Sequence, residues 1–285
     1  MVLTPSASPD IMRGMKKVHL TNFRDLSGRK NKEGKRLKKG YLFRGRSLYG
    51  LNKKRLKEVE ALHLDAIFDF RDEKDRIAKP DAKIKGAEFY PCSVLEKLGP
   101  EASGSPVDIY YIQEVIAGKK MSKEEYEYSY ELFMRMYREI PFAVEAFKPI
   151  FEALDRHERI YYHCTGGKDR TGIFSMILLW AFGFDDKAVY RDYHHSNYAR
   201  WRKNLWRLAH IFLHSGQWMS IPYMWKYLDC NKKNFNITRS AIFDSHGDIE
   251  TFLKEVHGVS KERIADWKAF YLEDSTRLVS LKGKG

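Results

Sequence analysis

At 285 residues with 43% hydrophobic content, the chain is long enough to bury the core of one large domain, which excludes general disorder. Fifty-one Lys and Arg against 38 Asp and Glu leave a formal charge of +13, which favours anionic ligands without choosing among phosphoesters, nucleic acid and acidic lipid. Three scattered cysteines, Cys92, Cys164 and Cys230, exclude a disulfide framework or a zinc site and fit a reducing compartment.

In chain order, residues 1–17 lack the apolar run of a signal peptide and read as a flexible leader, so a cytoplasmic location is expected. Residues 18–285 read as a single domain, because no linker or repeat divides them. The basic stretch RKNKEGKRLKKG at 29–40 predicts a hairpin between Leu26 and Tyr41-Leu42-Phe43. Leu51, Leu56, Val59 and Leu62 recur at helical spacing, and LDAIFDF at 64–70 predicts a buried strand. GAEFYPC at 86–92 and RIYYHC at 159–164 are further strands.

Residues 93–140 break this rhythm with a turn at 99–106 and the helical pattern SKEEYEYSYELFMRMYREI, read as a helical insertion over one face. Ile173 to Phe184, the longest apolar run, is shorter than the roughly 20 residues that span a bilayer and predicts a buried helix. A helical part follows over about 185–275: a helix at 185–198, aromatic and basic helices packed on the core over 201–227, and closing helices at 248–256 and 261–272. Strands separated by helices predict an α/β fold, a three-layer arrangement with a mainly parallel central sheet flanked by helices.

The chemistry concentrates in HCTGGKDRTG, residues 163–172, which lies between a strand pattern and an apolar helix pattern. Gly166 and Gly167 let successive N–H groups turn inward as an anion nest, and the following helix, expected to open at Thr171, points its dipole at the same spot. There the thiol of Cys164 should ionise below its ordinary value and act as a nucleophile. Arg170 offers a planar fork for two phosphoryl oxygens. Thr171 can donate to the thiolate or cap the helix. Two aspartates compete to protonate the leaving oxygen, Asp169 in the loop and Asp69 at the end of LDAIFDF, with Asp169 favoured.

These residues resemble the cysteine-based protein tyrosine phosphatases, whose signature is HC, five residues, then R and S or T. The loop GKDRTG, with NFRDLSG at 22–28, FRGRSL at 43–48, DFRDEKD at 69–75, PD at 80–81 and DYHHSN at 192–197, looks like the bacterial lipid-phosphatase-like group. The resemblance runs from 22 to 273 and departs from the group's pattern at Ser27, Phe70 and Asp75.

The resemblance implies a phosphatase-like α/β fold with a helical lid and hydrolysis of phosphate monoesters through a cysteinyl-phosphate, with Asp169 as the acid. It implies Thr165, Gly166, Gly167, Lys168, Thr171, Asp69 and Arg24 as substrate-binding candidates, with Lys168 facing the mouth to attract a second phosphate. His163 is expected neutral behind the thiolate. Asp25, Arg44, Arg46 and Arg71 would brace the loop through ion pairs. Asp69 would orient Arg170 or a neighbouring loop, and Cys92 would be a buried strand cysteine rather than a resolving thiol.

No cofactor or metal is called for. Expected partners are phosphorylated proteins, phosphoinositides or inositol phosphates, with membrane contact at most peripheral. Nucleic acid is set aside because no recognition motif occurs. The rival readings are an inactive phosphate-binding module and an inositol polyphosphate phosphatase.

Overall fold

The computed structural model describes residues 18–96, 122–215 and 221–275; the leader expected at 1–17 and the turn expected at 99–106 lie outside them. The strands are β1 (Arg24–Asp25), β2 (Lys35–Leu37), β3 (Leu42–Arg46), β4 (Ala66–Asp69), β5 (Glu88–Pro91), β6 (Ile160–Cys164) and β7 (Leu272–Asp274). Five form one sheet in the order β1-β3-β6-β4-β5, in which only the β1 pairing is antiparallel. Strand β6 comes last of the five in sequence and fills the slot between β3 and β4, so its carboxyl end opens where strands lie on both sides.

The side chains of the central strands alternate between two cores. Ala66 and Phe68 of β4 and Ile160 and Tyr162 of β6 face one cluster, while Ile67 and Tyr161 face the other. That period of two is the pleat itself, and it makes the sheet the middle of three layers.

The thin layer is α1 (Lys53–Glu60), whose Val59 and Leu56 cover Phe43 and Ile67. A short helix, α2 (Glu73–Ala78), follows β4. The thick layer holds α3 (Lys123–Glu139), α4 (Val144–Asp155), α5 (Asp169–Ala181), α6 (Asp186–Ser215), α7 (Ile221–Leu228), α8 (Lys232–His246), α9 (Ile249–His257) and α10 (Lys261–Tyr271). The start of α3 is a capping box: the Ser122 hydroxyl accepts from the Glu125 amide at 3.1 Å, and the Glu125 carboxylate accepts from the Ser122 amide at 2.7 Å. No described helix is long and apolar enough to cross a membrane.

The hairpin expected between Leu26 and Tyr41-Leu42-Phe43 is present: β1 pairs antiparallel with β3, and Leu26 N donates to Leu42 O at 2.9 Å. Within the connecting stretch β2 bridges Lys30 through Arg36 and also pairs antiparallel with the distant β7. Two expectations are corrected. The helix at 185–198 does not stop there, because α6 continues unbroken to Ser215. The expected core packing over 201–227 holds only in part: Leu208 of α6 and Met224 and Tyr227 of α7 join the core and Asn204 is buried, whereas Tyr198, Trp201, Leu205, Trp206 and Phe212 are exposed.

Candidate active site

Strand β6 delivers Cys164 to the carboxyl edge of the sheet, and residues 165–168 link it to α5, which opens at Asp169, two residues before the expected start. The loop is shaped from behind, through its carbonyls. Ser47 N donates to Thr165 O at 3.4 Å, Arg200 Nη1 to Gly166 O at 2.9 Å, and Arg44 Nη2 to Gly167 O at 2.9 Å. Asn22 Nδ2 reaches both Gly166 O and Gly167 O. A trans peptide points its carbonyl and its following N–H in opposite directions, so the N–H groups of Gly166, Gly167 and Lys168 face the other side. That side is the anion nest.

Gly167 is required twice over. Its φ of +65° is left-handed, and a Cβ there would lie 2.1 Å from Gly45 O. The Ser27 departure is harmless for a related reason, since the left-handed turn residue is Gly28, with φ +94°, and Ser27 N simply donates to Asp25 Oδ1 at 2.8 Å.

Burial pushes the Cys164 thiol up, but the charge of Arg170 and hydrogen bonds from Thr171 outweigh it, and the net direction is down. The Thr171 hydroxyl is buried with no oxygen or nitrogen partner, which leaves it for the sulfur. Arg170 Nη1 donates to Phe70 O at 3.1 Å and lies 3.4 Å from Asp72 Oδ2. Burial would lower the Arg170 guanidinium, yet Asp72 and the cysteine hold it firmly protonated. Asp72 shows the converse: burial, with Glu96 and Asp75 nearby, raises its carboxyl despite Arg170, and its Oδ1 is buried without a partner.

Behind Cys164, His163 sits in a sealed charge cluster. Its Nε2 is 2.8 Å from Asp81 Oδ2 and its Nδ1 3.6 Å from Asp69 Oδ1. Burial lowers the imidazole, but these two carboxylates raise it further, so it is held toward the cation and the expected neutral scaffold is corrected. Asp69, Asp81 and His163 have the spacing of cation ligands, but Arg71 fills the gap with Nη2 at 2.6 Å from Asp69 Oδ2 and 3.0 Å from Asp81 Oδ1. A metal ion between these carboxylates would meet the like charge of the Arg71 guanidinium already placed there.

Asp69 is therefore neither a substrate contact nor the partner of Arg170. It is fully buried and bound by Arg71 through both its oxygens, and the carboxylate beside Arg170 is Asp72. Arg24 also lies behind the loop rather than against substrate: it clasps Asp192 with Nε at 2.8 Å and orients Asn22 through Nη1 at 2.7 Å to Oδ1. Asp192 additionally accepts from Arg44 at 2.7 Å; burial would raise its carboxyl, but Arg24 and Arg44 hold it far below the ordinary range. Asp25 spends its carboxylate on Ser27 N and Gly40 N, so it fixes the β1–β3 hairpin and touches no part of the loop.

Lys168 does not face the mouth. It is 5% exposed, bonds the Tyr227 carbonyl, lies 3.3 Å from Asp169 Oδ1 and sits over the Phe133 ring, because α3 and α7 close over it. Asp169 stays partly exposed, and its Oδ1 accepts from the buried Tyr137 hydroxyl, which in turn pairs with Tyr193 at 2.8 Å. Burial and the Asp169 charge keep Tyr137 protonated as that donor. Thr165 lies exposed at the rim, 3.4 Å from Asp75 Oδ2. Cys92 is buried, and among the described residues no disulfide joins the cysteines.

Motif reading assigned no role to Asn22, Asp81 or Asp192, although each lies in a quoted segment, and it missed Asp72, Tyr137 and Arg200. Asp72 had a signal, as a second acid beside Arg71. Tyr137 and Arg200 had none beyond helical pattern.

A family model described as the tyrosine phosphatase family matches residues 16–273. A Cupriavidus necator protein bearing the provisional name tyrosine-protein phosphatase is 23% identical over 254 residues, covering 89% of this chain and 86% of its own. With the model spanning nearly all of its length, this chain belongs to the tyrosine phosphatase family.

Proposed function

We propose that this family member hydrolyses phosphate monoesters by cysteine chemistry. The observation that carries the reading is a thiol held toward thiolate by Arg170 and Thr171, over a loop whose Thr165, Gly166 and Gly167 carbonyls are drawn away from the nest. Sγ bonds to phosphorus as the ester P–O bond breaks, and the leaving oxygen takes a proton from Asp169. Water then attacks phosphorus, the S–P bond breaks with its electrons returning to sulfur, and Asp169 accepts the water's proton. Arg170 and the inward N–H groups hold the phosphoryl charge throughout. Neither step requires a cofactor.

Both described contacts to the Asp169 carboxylate fall on Oδ1, leaving Oδ2 to carry the proton. A second assignment of the acid rests on Asp72, whose raised carboxyl and unpartnered Oδ1 lie beside Arg170. We favour Asp169 because the ion pair with Arg170 ties Asp72 to the guanidinium's placement.

The loop HCTGGKDRTG supports membership of the bacterial lipid-phosphatase-like group, with phosphotyrosine, phosphoserine or phosphothreonine, and phosphoinositides as substrates. The proposal extends to one phosphatase domain over 18–285 and to a cytoplasmic location. Turnover of para-nitrophenyl phosphate that Cys164→Ser abolishes, with one phosphoryl group trapped on Cys164 in an acid-quenched Asp169→Asn protein, is the expected result. Turnover unchanged by Cys164→Ser, or none in the wild type, would leave only a phosphate-binding module.

A further inference from the structure

Over its second half, α6 shows two unlike faces. Inward, Asn204 is buried with its Nδ2 3.5 Å from Leu228 O of α7, and Leu208 packs on the core. Outward, Tyr198, Trp201, Leu205, Trp206, Phe212 and Leu213 are each more than half exposed. At about 100° of turn per residue these six fall within an arc of about 140°, along about 22 Å of helix. That continuity exceeds the scattered apolar exposure an ordinary water-facing surface carries.

The charges around this face have one sign. No acidic residue follows Asp192 in α6, whereas Arg202 lies inside the arc and Lys203 and Arg207 line one border of it. Arg202 stands over the Trp201 ring at 5.9 Å, and among the described residues none of these three cations forms an ion pair. Burial and the like charges of Arg200, Arg207, Arg46 and Lys79 push the Lys203 ammonium down to about 8, so the local field is one of excess positive charge. A negative surface laid against it relieves that repulsion.

A second copy of the chain fits this face poorly, because a two-fold contact would set the cations of one face against those of the other. Nucleic acid fits poorly too, since Leu205 and Leu213 offer no flat ring on which a base could stack. A bilayer accepts every part: acyl chains take the leucines and Phe212, indoles and the Tyr198 phenol sit at headgroup level, and anionic headgroups meet the cations.

We propose that the outer face of α6 over 198–213 docks on the surface of an anionic lipid bilayer, lying in the plane of its headgroups. The helix is not long and apolar enough to cross, and its inner face stays on the core, so the contact is peripheral. The proposal goes beyond the phosphatase reading and does not rest on it.

Co-sedimentation of the full chain with vesicles tests it, comparing phosphatidylcholine alone with equal parts phosphatidylcholine and phosphatidylserine. Wild type should bind the anionic vesicles about tenfold or more tightly than the neutral ones, and added salt should weaken that binding. Trp201→Ser/Leu205→Asn/Phe212→Ser, which keeps every charge, should lose about tenfold or more on the anionic vesicles, with a thermal melt matching wild type. Unchanged binding by this variant would reduce the effect to adsorption of a basic protein and overturn the proposal, as would no binding by the wild type. Arg202→Gln/Lys203→Gln should bring anionic binding down toward neutral binding, and Arg202→Lys/Lys203→Arg should restore the preference. A preference left intact in the glutamine pair would count against the charge match.

Insertion is read separately. Vesicles with brominated acyl chains should quench the tryptophan fluorescence of wild type, and far less that of Trp201→Ser/Trp206→Ser. Equal quenching of both would place the contact elsewhere. Analytical ultracentrifugation checks for a second copy: a dimer that the triple variant dissolves, with no vesicle binding, would overturn the bilayer as occupant. Preferential binding of a single-stranded oligonucleotide would do the same. Because vesicle binding is read without turnover, inactivity toward para-nitrophenyl phosphate would sink the phosphatase reading and leave this one standing.

Discussion

Asn22 donates its side-chain amide to the carbonyls of Gly166 and Gly167, at 3.2 and 2.7 Å, across 144 and 145 positions of the chain. Its φ of +60° is a left-handed conformation that asparagine tolerates better than most residues, and Arg24 fixes which way the amide points. Removing the amide leaves the Gly167 carbonyl with Arg44 alone and relaxes the nest. Asn22→Ala should cost about tenfold or more in kcat/KM on para-nitrophenyl phosphate, with an unchanged circular dichroism spectrum. Near wild-type turnover would show that the loop holds its shape without this tie.

Gly166 and Gly167 should differ sharply when given a methyl group. At Gly167 the obstacle is the Gly45 backbone at 2.1 Å together with a left-handed φ, so Gly167→Ala should abolish turnover and lower the melting temperature. At Gly166 the obstacle is the Arg200 guanidinium at 2.2 Å, a side chain that can swing aside. Gly166→Ala should retain measurable activity. Equal damage at the two positions would count against this account of the loop.

Thr171 is the simplest lever on the Cys164 thiol. Thr171→Val removes the hydroxyl that favours the thiolate, so the thiol should ionise at higher pH, and the pH profile of alkylation by iodoacetamide should move upward. Turnover at neutral pH should fall about tenfold, and Thr171→Ser should restore both. An unmoved alkylation profile would assign the low thiol value to Arg170 alone.

The two candidate acids separate by leaving group. Asp169→Asn should slow alkyl phosphates far more than para-nitrophenyl phosphate, whose departing phenolate needs little help. Asp72→Asn should slow both alike, because it frees Arg170 from its partner. The reverse pattern would move the acid to Asp72.

His257 links stability to pH. It is walled by Phe147, Phe151 and Phe252, its Nε2 donates to Pro141 O at 2.8 Å, and its buried Nδ1 has no acceptor for a second proton. Burial pushes it from 6.5 down to about 4, although the Pro141 carbonyl pulls upward. The unfolded chain takes up a proton near 6.5 while the native imidazole stays neutral, so stability falls as pH drops from about 6.5 toward 4. The full loss is about 3 kcal/mol, and urea unfolding at pH 7.5 and 5 should show it shrink in His257→Gln. An unchanged difference between the two pH values would place the linkage elsewhere.

The layered fold was legible because it rests on local periodicity. LDAIFDF and RIYYHC alternate between two cores, and the apolar run from Ile173 could only be a buried helix. Cys164 and Arg170 stand out as candidates because one short loop carries both. The loop's supports were not, because they come from Asn22, Arg44 and Arg200, and no spacing rule joins positions so far apart. Lys168 and Asp69 were misplaced for the same reason: pattern shows that a charge is near the loop, whereas α3, α7 and Arg71 decide which way it points. Exposure of the α6 aromatics was hidden too, since a solvent face and a core face share the same helical period.

The pairing of β2 with β7 fixes the order in which the protein can be completed. Lys35–Leu37 finds its partner only at Leu272–Asp274, and the Gly166 carbonyl waits for Arg200. As the chain leaves the ribosome, Cys164 emerges well before Arg200, which braces its loop, and β7 is the last of the described strands to follow. Closure then depends on contacts of high sequence separation, which form slowly. The thiol thus spends an interval of synthesis in an open, unbraced loop, and its reactivity is assembled only as the far segments dock.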